Sequence, residues 1–207
     1  IFTMYDYLED ILVEAPDDFD GEDVTPAVSN LFQVDEACEK LDVPTADLFH
    51  RFAARFLCVA KRSRPDLQVS VAFLCKRVKA PNIGDWKKLG RLVRYVRATI
   101  HLPLILGSDG SGNMVWSIDA SFAVHMDMKS HTGYCLTLGT GSPISGSQSQ
   151  KITTRSSTES ELVGVDDVIS IVEWTSLYSK CQVKAYPIDN PLKDLGKNNL
   201  VKQDNTS

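Results

Sequence analysis

The stretch "TTRSSTESELVGVDD", Thr153 to Asp167, sets two glutamates, Glu159 and Glu161, at the head of an amphipathic run. Ser156, Ser157 and Thr158 all suit a helix N-cap. Ser156 followed by Glu159 spells a capping box, which accounts for Glu159 as a group that closes free backbone amides. At about 100° per residue, with Glu161 set at zero, Val168 falls near about −20°, Val172 near ~20°, Val165 near ~40°, Ile169 near ~80° and Leu162 near ~100°. Glu161 therefore lies in the apolar stripe that must face a sheet. Glu159, at about 160°, shares the wetter side with Asp166 and Ser170. A carboxylate aimed into a helix–sheet interface is costly unless a cation meets it, and no Lys or Arg is near in sequence on that face. Two readings stay open: a divalent cation shared with other carboxylates, or a frayed first turn that lets Glu161 reach water.

Outward from this helix the pattern is β-rich. "NMVWSIDASFAV" (113–124) places Trp116 and Ile118 on one side and Ser117 and Asp119 on the other. "HTGYCLTLG" (131–139) reads as a second strand, "SPISGSQSQ" (142–150) as a short third, and "NLVKQD" (199–204) as a last strand beyond a helix ending at about Cys181. The order β-β-β-α-β implies an α/β unit, a mixed sheet with a helix packed on it. Asp119 in mid-strand and Asp204 at a strand end are the two acids that could join Glu161 around a cation at the sheet's rim. An Asp at a strand end also serves as a turn former.

The first half reads differently, as helices. "MYDYLEDILVEA" (4–15) precedes an acidic loop, and "DLFHRFAARFLCVAKR" (47–62), "RPDLQVSVAFLCKRVK" (64–79) and "DWKKLGRLVRYVRATI" (85–100) follow. In the last of these Trp86, Leu89, Val93, Val96 and Ile100 form one stripe, and Lys87, Arg91 and Arg94 share another face. Residues 1–48 hold fourteen acidic side chains against Lys40 alone, a net −13, whereas 51–100 hold thirteen basic against two acidic, a net +11. So basic a middle suggests a polyanion partner for Lys87, Arg91 and Arg94; solvated helix faces are the alternative. The best boundary between the halves lies near residue 105.

Five widely spaced cysteines without a CxxC pair indicate reduced, intracellular thiols and no zinc site. No apolar run reaches the length of a membrane span, so no membrane is expected as a partner. The chain opens on Ile1 and closes on Ser207 directly after the last strand, and both ends look cut from something longer.

Taken in order, these motifs resemble a known family. Asp119-Ala120, Asp127 to Tyr134 ("DMKSHTGY"), Lys151, Ser156 to Glu161 ("SSTESE") and Asp204-Asn205 resemble the ribonuclease H domain of copia-type LTR retrotransposon polyproteins. Upstream, Arg64-Pro65-Asp66, Trp86 and Arg94-Tyr95 resemble the segment that follows the polymerase palm in the same polyproteins. The resemblance runs from about Phe49 onward. It implies three parts: residues 1–46 as an acidic segment following the palm, 47–105 as a basic, all-α thumb- or connection-like region, and 106–207 as a ribonuclease H-like mixed sheet with a packed helix, incomplete at its C-terminus. It implies Asp119, Glu161 and Asp204 as metal-binding catalytic acids, two Mg²⁺ ions (Mn²⁺ as substitute), and hydrolysis of the RNA strand of an RNA–DNA hybrid. Lys151 would contact that hybrid together with Lys87, Arg91 and Arg94. The upstream palm would be a further partner, and a cytoplasmic particle or the nucleus the location. The chain departs from the pattern at Ser121, where the family has a second acid, in the polar loop, which lacks the family's Trp, and at its end, before a late acid or histidine. No Tyr-x-Asp-Asp polymerase signature is present. The alternative is a non-catalytic nucleic-acid-binding or decayed retroelement fragment.

Overall fold

A computed structural model of the protein describes residues 1–185 and 198–203. The chain divides into two compact units, Ile1–Leu104 and Ile105–Ser207.

The first unit is helical: α1 (Tyr5–Val13), α2 (Val43–Ala60), α3 (Gln68–Arg77) and α4 (Ile83–Ala98), with short 3₁₀ turns at Asp17–Phe19 and Pro65–Leu67. Helix α2 starts four residues earlier than the apolar pattern indicates. Asp42 accepts the Thr45 amide at 3.3 Å, and Pro44 sits in the first turn, where its missing N–H costs nothing. Helix α4 opens on a capping box: the Asp85 amide donates to Asn82 Oδ1 at 2.9 Å and the Asn82 amide donates to Asp85 Oδ2 at 3.1 Å. The apolar stripes of α2 and α4 converge, burying Phe49, Phe52, Phe56 and Val59 with Leu89, Leu92, Val93 and Val96. The acidic segment belongs to this same unit. Phe19 is 2% exposed, its ring centroid lies 4.6 Å from that of Trp86, and a Cβ at Gly90 would come within 2.7 Å of it. Gly90 therefore makes room for Phe19. Phe2 and Leu104 exchange backbone hydrogen bonds, so the unit's two ends meet.

The Arg64-Pro65-Asp66 motif is an internal clamp. Arg64, 1% exposed, donates from Nε and one Nη to the Asp66 carboxylate and from its guanidinium to the carbonyl and hydroxyl of Thr99, the C-cap of α4. The Tyr95 hydroxyl donates to the same carboxylate at 3.0 Å. Burial first, and the Asp66 charge second, push that phenol up, so it stays a donor.

The second unit is mixed α/β. Strands β2 (Met114–Ser121), β3 (His131–Thr137), β5 (Ile144–Ser149) and β6 (Asn199–Gln203) form one sheet in the order β5-β3-β2-β6. β2 pairs antiparallel with β3 and parallel with β6. Two further short strands, β1 (Gly107–Ser108) and β4 (Gly139–Thr140), pair with each other. Helix α5 (Ser157–Ala185) lies on the sheet face that carries Trp116 and Ile118, with Val168 and Val172 buried against them. Its contact line is centred on small residues. Gly164 packs over Ala120 and Thr132, where a Cβ would make contacts of 3.4 Å and 3.5 Å with their side chains, and Ser160 one turn before it is fully buried. This shifts the buried stripe away from Leu162 and Ile169, which the helical wheel places near its edge and which are 65% and 40% exposed. On the same face Tyr134 lies over Gly146, where any Cβ would collide with its ring.

Candidate active site and cationic faces

The two glutamates of α5 divide their roles by position. The Glu159 amide donates to Ser156 Oγ at 3.1 Å, and the Glu159 carboxylate accepts the Arg155 amide at 2.6 Å, one residue outside the N-cap. Glu159 is a capping group. Glu161 is half-buried and turned toward β2: Oε1 accepts the Ala120 amide at 3.3 Å, and its backbone carbonyl accepts the Gln203 side chain at 3.1 Å. The described pairing of β6 with β2 ends at Gln203 opposite Ile118, and Glu161 takes the amide two residues further along β2. The first turn of α5 is therefore docked, not frayed.

Asp119 precedes that amide. Strand alternation puts it on the sheet face away from α5, between exposed Ser117 and Ser121, and it is itself exposed. The structure thus brings Glu161 to the residue beside Asp119, just past the described pairing of β2 with β6. Asp204 lies outside the described residues; Gln203 before it pairs with Ile118, the residue before Asp119. Among the described residues, no group of three or more His, Cys, Asp or Glu side chains is placed to hold a metal ion. Lys151 is exposed in the connection to α5, directly after Gln150, which is 1% exposed and ties Thr132 Oγ1 to the Ser160 carbonyl at the head of α5.

The basic face of α4 carries its own counter-ions. Arg94 Nε lies 2.7 Å from Asp23 Oδ2 and Arg91 3.3 Å from Asp23 Oδ1, while Arg91 also donates to the carbonyl and hydroxyl of Thr25. Arg97 donates to the Phe19 and Gly21 carbonyls and sits 3.5 Å from Asp20. Farther along the unit Arg51 and Arg55 meet Glu14. Lys88 is turned inward, donating to the Leu31 and Gln33 carbonyls above the Phe73 ring, and burial pushes its ammonium down. Lys87 remains exposed. Much of the charge imbalance between the acidic front and the basic middle is therefore met inside the unit.

Asparagine at position 23 would remove the counter-ion that Arg91 and Arg94 share. We expect Asp23→Asn to bind a duplex DNA probe more tightly and to steepen the fall of log affinity with log salt by up to about 2, at roughly 0.9 per phosphate contact. The partly exposed pairs it removes cost about 1 kcal/mol of stability at most. Fluorescence anisotropy at several salt concentrations reads both binding effects, and an unchanged slope would show that this face does not meet phosphates.

Two site features escape sequence reasoning. His131 and Ser147 reach the Asp119 face through strand register, and the sequence alone assigns no role to any histidine. Two of the thiols are held protonated: the Asp35 hydrogen bond pushes Cys38 up and burial pushes Cys75 up. All five cysteines are free. Among the described residues no helix is long and apolar enough to cross a membrane.

No family model matches the chain, and no solved structure matches it. It is 30% identical over 115 residues to an uncharacterized mitochondrial protein of Arabidopsis thaliana, covering 55% of this chain and 48% of that one. It is 27% identical over 119 residues to a secreted RxLR effector protein of Plasmopara viticola, covering 57% of this chain and 84% of the effector. It is 33% identical over 114 residues to a retrovirus-related Pol polyprotein from a transposon of Arabidopsis thaliana, covering 54% of this chain and 8% of the polyprotein. The chain thus spans about half of the first of these relatives and a small part of the third.

Proposed function

We infer, from the likeness to a retrovirus-related Pol polyprotein from a transposon, that the chain is a retroelement fragment whose second unit is a ribonuclease H-like domain that hydrolyses the RNA strand of an RNA–DNA hybrid. The observation that carries this reading is the placement of Glu161, whose carboxylate meets the backbone beside Asp119 across 41 residues of sequence. A second support is the sheet itself, with antiparallel β5-β3-β2, a parallel β6 and a helix on one face.

Asp119 and Glu161 offer hard carboxylate oxygens, the donor set that Mg²⁺ takes; Asp204 would complete it. When bound, Mg²⁺ supplies Lewis acidity that activates a water and stabilises the leaving oxygen of an in-line displacement. The chain's own residues hold the geometry. The Ala120 amide fixes one oxygen of Glu161, and Gln203 fixes its backbone. The exposed Asp119 side chain faces the substrate side. Lys151, exposed ahead of α5, and Lys87, exposed on α4, would serve as phosphate contacts, whereas Arg91 and Arg94 would meet a phosphate backbone only when Asp23 gives way.

The first unit is read as the region that follows the polymerase palm, with that palm as a further partner, and the whole as acting in a cytoplasmic particle or the nucleus. The test is direct: incubate the full chain with a labelled RNA–DNA hybrid, duplex DNA and duplex RNA, with Mg²⁺ or with chelator. Cleavage confined to the RNA strand of the hybrid and dependent on Mg²⁺ is expected. Binding without cutting at any Mg²⁺ or Mn²⁺ concentration would leave a non-catalytic nucleic-acid module instead.

A further inference from the structure

The face of the sheet that bears Asp119 carries a hydrogen-bonded chain of side chains. His125 Nε2 lies 2.9 Å from His131 Nδ1, and His131 Nε2 lies 2.6 Å from Ser147 Oγ. Both imidazoles are buried, at 6% and 7% exposure, and Ser147 is half-exposed. The β2–β3 connection is shaped to deliver His125. Its amide donates to the Lys129 carbonyl, the Met128 amide donates back to the His125 carbonyl, and Ala123 and Met128 take positive φ angles of 50° and 58°. Ser130 Oγ closes the turn on the Ala123 amide and on Thr154 Oγ1.

Register aligns this chain with the candidate site. Asp119 pairs with Gly133 and Gly133 with Ser147, so the three share one rung, and side chains on a rung project from the same face. Two strand spacings separate Asp119 from Ser147, about 10 Å. The residue between them is a glycine at which an added Cβ would meet nothing within 4 Å. The result is a shallow trough floored by Gly133, with a carboxylate at one end and an oriented hydroxyl at the other.

Resting on the ribonuclease reading above, we propose that Ser147 is a specificity residue that hydrogen-bonds a ribose 2′-hydroxyl of the RNA strand lying in this trough, with His131 and His125 as the positioning residues that hold it. A serine hydroxyl both donates and accepts, as does the 2′-hydroxyl. Either tautomer of the imidazole chain leaves Ser147 one role to offer: with His131 Nε2 accepting, Ser147 accepts from the ribose, and with Nε2 donating, Ser147 donates to it. Deoxyribose has no such group.

The test measures affinity of the full chain for a fluorescein-labelled RNA–DNA hybrid and for duplex DNA of the same sequence, without added divalent ion. Ser147→Ala is expected to lower the hybrid-to-DNA affinity ratio roughly 2- to 10-fold, the range of one hydrogen bond, while DNA affinity and the near-ultraviolet circular dichroism stay unchanged. Ser147→Thr keeps the hydroxyl and should restore the ratio, and His131→Gln should reproduce the loss. A merely structural serine would not move this ratio. If wild-type cuts the hybrid and Ser147→Ala keeps its preference, the proposal is overturned and the ribonuclease reading stands. If wild-type neither prefers nor cuts the hybrid, both fall together.

Discussion

Replacing Asp119 with asparagine is expected to reduce Mg²⁺-dependent cleavage of an RNA–DNA hybrid by more than ~10²-fold, the upper range seen even for groups that only support a metal ligand, while leaving hybrid binding intact. The side chain is exposed on β2, so the exchange should alter stability by less than about 0.5 kcal/mol. Binding should hold or rise slightly, because one negative charge leaves a surface that must meet phosphates. Glu161→Gln makes a useful companion: its amide oxygen can still accept the Ala120 N–H, so the docking of α5 survives while the charge is lost. Quantitative gel assays of cleavage, with anisotropy for binding, separate the two effects. Residual activity equal to wild-type in the Asp119 variant would reject the site.

The second large effect is expected in the other unit. Arg64→Met should destabilise it by about 1.5–3 kcal/mol, the range for hydrogen bonds made by a charged group, because the buried guanidinium holds Asp66 and the end of α4 together. Here the Thr99 carbonyl and hydroxyl also lose their donor. For a unit of about 100 residues that corresponds to a fall in melting temperature of roughly 6 °C or more. Lysine should not rescue it, because one ammonium cannot span Asp66 and Thr99 as the guanidinium fork does. Calorimetry on Arg64→Met, Arg64→Lys and wild-type decides the matter; a shift below about 2 °C for Arg64→Met would mean that the clamp contributes nothing.

Much of the candidate site was legible because helical period is a local property. The wheel alone separates Glu161 from Glu159, and the structure docks the first on β2 and turns the second back as a cap. Alternation along 113–124 likewise sets Asp119 opposite Trp116 and Ile118. Where local pattern misleads, small residues are the cause. The wheel weighs Leu162 and Ile169 as apolar and passes over Ser160 and Gly164, yet close packing rewards the residues that let backbones approach, and those form the contact line.

Charge shows the same limit more sharply. The sequence states that an acidic front precedes a basic middle and leaves the partner of that middle open. Only the folded chain places Asp23 against Arg91 and Arg94, Asp20 against Arg97 and Glu14 against Arg51 and Arg55. Ion pairing acts through distance in space, which no spacing along the chain encodes. The rung Asp119–Gly133–Ser147 is decided in the same way. Periodicity fixes which side of its own strand each residue faces, whereas the neighbour it meets there depends on strand register, a property of the assembled sheet.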